Sequence, residues 1–261
     1  MLKFQNKIVI LPKKDTKNIK GKDMRLILAT SNADKIREIK EIYADLMRDF
    51  TLKILAWSEL LEPFEIEENG TSFQENALLK SRAVFNALKT QGILEERDIV
   101  LSDDSGICVD LLGGAPGIHS ARYSGGGAVE NLEKLRGEVE RLGGTSKAHY
   151  CACIGISSAQ GDFSAHGFMY GKVIAQKRGS NGFGYDPIFI PNGFTKTLAE
   201  LSGEEKNAIS HRKIALENAH YTLKALFKSF QIRKIWNRKG FANLIAYSLR
   251  HCDSARSRGV L

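Results

Sequence analysis

Asp103 and Asp104 stand side by side after the apolar run Ile99-Val100-Leu101 and are followed at once by Ser105 and Gly106. Paired carboxylates can bind a cation or take a proton from water. The run ahead of them reads as a buried strand that brings the acids to its exposed end before a glycine turn. Neighbouring strand residues point to opposite faces, so one aspartate enters a cleft and the other supports it. Alone, Asp-Asp-Ser-Gly is also an ordinary polar turn, so the rest of a site must come from elsewhere. Glu67 and Glu68, ahead of Asn69-Gly70, are further carboxylates. A hard cation such as Mg²⁺ takes oxygen ligands from one or two carboxylates plus substrate phosphates. Asp104 with either glutamate meets that need; a solvated acidic loop is the plainer alternative.

Two stretches suit anions. Thr30-Ser31-Asn32-Ala33-Asp34-Lys35 follows an apolar run and opens a helix, offering hydroxyls, free backbone N–H groups and a lysine. A helix N-terminus favours phosphate through its dipole and unpaired amides. The spaced glycines and Gly-Lys-Ser/Thr of a P-loop are missing, so this is not one. Asn76 and Lys80, four apart on the next helix, share a face, and Lys80 can reach the same phosphates. Farther on, Gly182-Phe183-Gly184-Tyr185-Asp186-Pro187 sets two aromatics among glycines, able to lay a ring against a flat base. Ser210-His211-Arg212 opens a helix that can aim donors at that base. Each of these also reads as a structural turn or cap.

The positioning elements follow from periodicity. A buried strand begins at Met24 and runs to Thr30. Asn32 caps a helix whose apolar positions Ile36, Ile39, Tyr43 and Leu46 carry it to about Met47. A strand at Leu52–Ala56 precedes a helix opened by Ser72 and Glu75 as a capping box and continuing to about Lys89. After the strand bearing the aspartates, a return strand is expected at Ile107–Leu111 and a helix at Val129–Leu142. A hairpin joins Ala148–Ser157 to Phe163–Ile174. A short strand lies at Pro187–Ile190, a capped turn begins at Ser202, and a last helix runs from Ser210 to about Phe230. Mixed helices and strands make the class α/β.

The 261 residues carry a net charge of +8, with 43% hydrophobic and 26% charged residues, ordinary for a globular protein. No apolar run approaches the ~20 residues that span a bilayer, and the start is too short in apolar residues for a secretory signal. A cytoplasmic location is expected. The four cysteines, Cys108, Cys151, Cys153 and Cys252, lack Cys-x-x-Cys spacing and read as small buried hydrophobes in a reducing compartment. Residues 1–23 hold seven lysines against two aspartates, and residues 229–261 seven Lys/Arg against one. The ends are therefore +5 and +6, which leaves −3 for residues 24–228. Three parts are expected: a basic extension over 1–23, a catalytic domain over 24–228 and a second basic extension over 229–261. Met24 is a candidate natural start. A nucleic-acid-binding protein acting through its basic ends is the competing reading, with salt-sensitive binding as its mark.

Taken together, the motifs resemble one family. Ala29-Thr30-Ser31-Asn32 with Lys35, Glu67-Glu68-x-Gly70 with Phe73, Glu75-Asn76-Ala77 and Lys80, Ser102 to Gly106, and Gly113 to Gly117 with Ser120 to Tyr123 occur in its order. Gly182 to Phe189, Ala199-Glu200-Leu201, Glu205-Lys206-Asn207 and Ile209 to Arg212 complete the set. Residues 26–227 are similar to the inosine triphosphate pyrophosphatase family, in its bacterial Ham1/RdgB-like branch. Asn69 stands where Thr is common, and both extensions lie outside the pattern. The resemblance implies an elongated, mixed, twisted β-sheet flanked by helices, with two lobes and an active-site cleft between them. It implies a homodimer that uses Mg²⁺ to hydrolyse inosine, deoxyinosine and xanthosine triphosphates to the monophosphate and pyrophosphate, with no need for a membrane or nucleic acid. By position, Thr30, Ser31, Asn32, Ala33, Asp34 and Lys35 contact the triphosphate, and Asp104 is general base and metal ligand with Glu67. Ser105 and Lys206 contact substrate, as does Lys80. Phe183, Gly184, Tyr185, Asp186, His211 and Arg212 hold the base. An aspartate beside cations is expected to keep a low pKa.

Overall fold

The computed structural model describes residues 24–30, 32–46 and 52–230, without the side chains of Asp34 and residues 44–46. The expected basic extension over 1–23, most of that over 229–261, Ser31 and Cys252 lie outside the described residues.

Strands β1 (Met24–Leu28), β2 (Leu52–Ala56), β3 (Ile99–Val109), β4 (Thr145–Ser158), β5 (Gly161–Ile174) and β6 (Phe189–Pro191) form one open sheet in the order β2-β1-β3-β4-β5-β6. β1 lies parallel to β2 and β3; the remaining pairs are antiparallel. The helices are α1 (Ala33–Leu46), α2 (Phe73–Thr90), α3 (Ala128–Arg141), α4 (Gly203–Ile209) and α5 (residues 211–230). The expected short strand begins two residues late, because Asp186–Ile188 is a 3₁₀ turn. Asn32 caps α1, its Oδ1 accepting the Lys35 N–H at 3.1 Å. Ser72 caps α2 by accepting the Glu75 N–H at 3.1 Å, while Glu75 reaches back to Thr71 rather than to the cap.

One correction concerns the central acids. No turn follows Asp104 and no return strand begins at Ile107. β3 runs unbroken from Ile99 to Val109, paired throughout with β4. Gly106 is not a turn glycine. A Cβ there would overlap Gly117 O and Ser120 Oγ, so its missing side chain lets the 3₁₀ segment Gly117–Arg122 lie against the strand. The Ser120 hydroxyl accepts the Ile107 N–H at 2.9 Å and fastens the segment there.

Alternation sorts the core. Leu26, Leu28, Ile99, Leu101, Ile154 and Ile156 face α1 and α5. Farther along the same side, Ile107, Val109, Tyr150, Met169 and Val173 pack with Leu135 and Val139 of α3 and with Phe189. On the opposite side Ile27, Ala29 and Val100 meet Val84 and Leu88 of α2. Burying each such side chain stabilises the fold by about 1.5–3 kcal/mol.

Candidate active site

β1 stops at Leu28, and its pairing with β3 stops at Leu101, whose carbonyl still accepts the Ala29 N–H at 2.7 Å. Beyond it, among the described residues, β3 has no strand partner on that side until Cys108 bridges to Pro116. Asp103, Asp104 and Ser105 lie in this interval, off the carboxyl ends of parallel strands, where open α/β sheets hold ligands.

The two aspartates leave β3 on opposite sides. Asp103 turns to the starts of α1 and α5. Its Oδ2 lies 2.5 Å from Lys35 Nζ and 3.4 Å from Arg212 Nε. Arg212 is buried, pairs with Glu38 at 2.7 Å, and donates through Nη2 to Ser105 Oγ at 3.2 Å. Burial alone would raise the Asp103 carboxyl, but Lys35 and Arg212 hold it well below the usual carboxylate range. Asp104 turns to α2, where Lys80 Nζ donates to its Oδ1 at 2.8 Å. Burial pushes its carboxyl above the ordinary value and Lys80 draws it back, while Glu68 and Asp103 add repulsion. The low pKa expected for this aspartate is therefore found at its neighbour, because burial and like charge outweigh a single lysine.

Asp104 Oδ2 is buried and has no hydrogen-bond partner. Glu68 Oε2 lies 3.3 Å from the same Lys80 ammonium, whereas Glu67 is exposed. Glu68 thus shares Lys80 with Asp104. The acidic loop is pinned from both sides. Gly70 N–H donates to Asn76 Oδ1 at 2.9 Å, and Arg122 Nη2 donates to the Glu68 carbonyl at 3.5 Å. Two carboxylates about one lysine, one of them with an unpaired oxygen, suit a hard cation that also takes phosphate oxygens. Among the described residues no group of three or more His, Cys, Asp or Glu side chains could hold a metal.

Thr30 Oγ1 accepts the Asn32 N–H at 3.2 Å, shaping the turn that opens α1. Ala33 is the exposed first residue of α1, and the Asp34 side chain lies outside the description. Lys35, Lys80 and Lys206 each rest on a buried aspartate: Asp103, Asp104 and, at 2.5 Å, Asp186. Asp186 also accepts the Phe183 N–H at 2.8 Å, which ties the glycine loop to α4. Gly182 has φ +78°, and a Cβ there would strike Asp186 Oδ2, so glycine is required on both counts. Phe183 is 62% exposed with Lys206 Nζ 4.3 Å from its ring centroid, while Gly184 lies beside it in the loop.

The base-holding residues do not all face outward. Tyr185 is buried and donates to the Ser120 carbonyl at 2.7 Å, so it belongs to the core. His211 stacks on Tyr150 with ring centroids 4.8 Å apart. Burial and the Arg212 charge push its imidazole down to about 3, which leaves it neutral. Its Nδ1 is shut from solvent without a partner. The charges of Asp103, Lys206 and Lys35 also reach this ring. Glu38 is not picked out by the sequence, whereas Glu68 is one of the two glutamates read there as able to join Asp104. Glu38 is three residues after Lys35 on one helix, a spacing that puts both on one face.

The Ham1 family profile matches residues 26–221. A protein from Campylobacter jejuni subsp. doylei named dITP/XTP pyrophosphatase is 56% identical over 208 residues, covering 78% of this chain and 100% of that protein. One of the same name from Sulfurimonas denitrificans is 52% identical over 206 residues, 78% of this chain and 100% of its own. Among solved structures, the Staphylococcus aureus Ham1 protein superposes with a TM-score of 0.67 at 36% identity, over 77% of this chain and 98% of that one. A HAM1 protein from Coxiella burnetii gives 0.67 at 34% identity, over 77% and 99%.

Proposed function

The chain belongs to the Ham1 family, and from that premise we propose that it hydrolyses the non-standard purine nucleoside triphosphates ITP, dITP and XTP to monophosphate and pyrophosphate. Such an activity keeps these nucleotides out of DNA and RNA. One observation carries the reading to residues: just past the end of β1, Lys35 and Lys80 rest on the buried Asp103 and Asp104, one Asp104 oxygen is unpaired, and Lys206 rests likewise on the buried Asp186 of the glycine loop.

Mg²⁺ is the cation we assign to Asp104 and Glu68; when bound, it offsets phosphate charge and acidifies a coordinated water. Lys35, Lys80 and Lys206 take the phosphate oxygens in place of their aspartates and stabilise charge developing at phosphorus. The turn Thr30 to Lys35 adds its hydroxyls and the α1 N-terminus. Asp104 accepts the proton of the attacking water as that oxygen bonds to the α-phosphorus. The bond from the α-phosphorus to the bridging oxygen breaks, and pyrophosphate leaves with the electron pair. A carboxyl raised by burial is a better base than an ordinary one.

Phe183 supplies the open ring on which the base stacks. Asp186 and Tyr185 hold that loop, and Arg212 holds Ser105 and Asp103. Neutral His211 lies at the base end, where its ring can face the 6-oxo acceptor of hypoxanthine or xanthine. Adenine carries an amino donor at that position, and a mismatch of buried polar groups discriminates by as much as roughly 10⁴–10⁵. Guanine shares the 6-oxo group, so its exclusion turns on the 2-amino group.

We take the two core clusters on the α1/α5 side as the interiors of two lobes, with the site between them. A homodimer in the cytoplasm completes the reading; among the described residues no helix is long and apolar enough to cross a membrane. No observation favours the nucleic-acid alternative. The test is a nucleotide panel with Mg²⁺ in which pyrophosphate and orthophosphate are measured separately. ITP, dITP and XTP should release pyrophosphate first, and Asp104→Asn should abolish release while the fold persists. Orthophosphate as first product, or near-normal turnover by that variant, refutes the mechanism.

A further inference from the structure

Asn76 is wholly buried near the start of α2, yet its amide is only half used. Oδ1 accepts the Gly70 N–H at 2.9 Å. Nδ2 is shut from solvent and has no hydrogen-bond partner among the described residues. The orientation is fixed, because Gly70 offers a donor and only the oxygen of the amide can accept it. Buried polar groups are almost always paired, so an idle donor calls for an explanation. Asn76 stands four residues before Lys80, a spacing that puts both on one face of the helix. Lys80 serves Asp104 at 2.8 Å and Glu68 at 3.3 Å. The chain around Glu68 is laid on the same turn of α2. A Cβ on Gly70 would come within 2.7 Å of Asn76 Oδ1 and of Glu75 Cβ, so glycine lets the loop touch the helix. Thr71 donates to Glu75 Oε2 through its N–H at 2.6 Å and its hydroxyl at 2.8 Å. Glu68 is two residues from Gly70, at most about 7 Å of chain. Ser102 Oγ donates to the Ala77 carbonyl at 2.5 Å and ties the helix to β3 beside Asn76. The helix is thus the fixed member, and Asn76 is its hold on the loop.

We propose that Asn76 is a positioning residue for Glu68: it holds the loop through Oδ1 and gives Nδ2 to one oxygen of that carboxylate when a divalent cation takes the other. The proposal rests on the assignment of the cation to Asp104 and Glu68 made above. With a cation at these acids, the Lys80 ammonium is repelled, turns to phosphate and leaves both carboxylates without their donor. The oxygens of Asp104 are then both in use, one for the cation and one for the proton of water. Glu68 has one such use. Its second oxygen is an acceptor in need of a donor, and Asn76 Nδ2 is a donor in need of an acceptor. Carboxylates that bind metals are held in orientation by hydrogen bonds of this kind, and losing one weakens metal binding by roughly ten- to a hundredfold.

Mn²⁺ is the probe, and its binding to the full chain without nucleotide is followed by electron paramagnetic resonance. The parent, Asn76→Ala, Glu68→Ala and the double variant form a cycle that isolates the coupling of the two residues. Asn76→Ala should weaken Mn²⁺ binding by roughly ten- to a hundredfold. Glu68→Ala should weaken it at least as much, and the double variant no further than Glu68→Ala alone. A residue that merely supports the fold would cost the same factor with or without Glu68. Gly70→Ala breaks the same latch from the loop, outside the core. Its cycle with Glu68→Ala should show the same pattern, and it decides the matter if Asn76→Ala misfolds. Unchanged affinity in Asn76→Ala, or losses that add, would overturn the role of Asn76 and leave the cation site standing. A parent that binds no Mn²⁺ overturns both. Hydrolysis of ITP by the parent is measured alongside; its absence with the cycle intact counts against the proposed activity and not against this pairing.

Discussion

Strand alternation gives Asp103 and Asp104 different surroundings, and the difference can be measured as stability. Asp103 has two close cations in a dry site, and its carboxyl is held low. Between the two pKa values the unfolded chain binds more protons than the folded one, so stability rises with pH there. The contribution is complete above the ordinary value of about 4 and is lost as pH falls toward the lower folded value. Asp103→Asn leaves Lys35 and Arg212 facing an uncharged group; it should cost about 3 kcal/mol at pH 7, and the deficit should shrink below pH 4. Asp104 has the opposite sign. Its carboxyl is raised, so its ionised form opposes folding at neutral pH, and Asp104→Asn should melt no lower than the parent while losing activity. Lys80 keeps Glu68 at 3.3 Å in that variant. Urea titrations at pH 7 and below 4 test both, and equal losses for the two substitutions at pH 7 would refute the division.

At the scale of elements, the site depends on how closely α2 lies on the sheet. A Cβ on Gly155 would come within 2.6 Å of the Ala77 carbonyl, and Ser102 Oγ donates to that same carbonyl at 2.5 Å. Ser81 and Ser157 hydroxyls meet at 2.9 Å one turn on. Lys80 lies between these contacts, so its reach to Asp104 is set by the docking of α2. Gly155→Ala should push the helix outward, cost about 1–3 kcal/mol through overpacking, and slow turnover by roughly tenfold to a hundredfold through misplacement of Lys80. Melting curves and kcat are the readouts; unchanged values for both would show that α2 is not held there. Gly167 plays the matching part for α5, since a Cβ on it would overlap His211 O and Ala215 N. The motif read in sequence as acids plus lysines therefore rests on glycines with no chemistry of their own.

For the molecule as a whole, the charge of +8 belongs to the ends and not to the body. The domain boundary expected at 228 falls inside α5, where Phe230 is still buried with the α1/α5 cluster. A chain trimmed to residues 24–230 should keep full activity and melting temperature. Stopping at 228 should lower the melting temperature by removing an apolar anchor, and calorimetry on the two chains distinguishes them. Loss of turnover in the longer one would make the ends part of the enzyme. The sequence by itself determined the α/β class and the helices other than α4, which reads there only as a capped turn, and it singled out residues able to do chemistry, because apolar period, caps and motif spacing are local properties written along the chain. It also marked Asp103 and Asp104 as a pair that must divide, since strand alternation needs no knowledge of neighbours. It did not show that β3 continues through Gly106, because a glycine that admits a neighbouring segment looks the same in sequence as one that makes a turn. Nor did it show that Glu68 shares Lys80 with Asp104, that Arg212 is bound to Glu38 and Asp103, or that Tyr185 is core. Those depend on which segments pack across 54 to 174 residues of sequence, and only the tertiary structure sets the burial and charge that pull the two carboxyls apart.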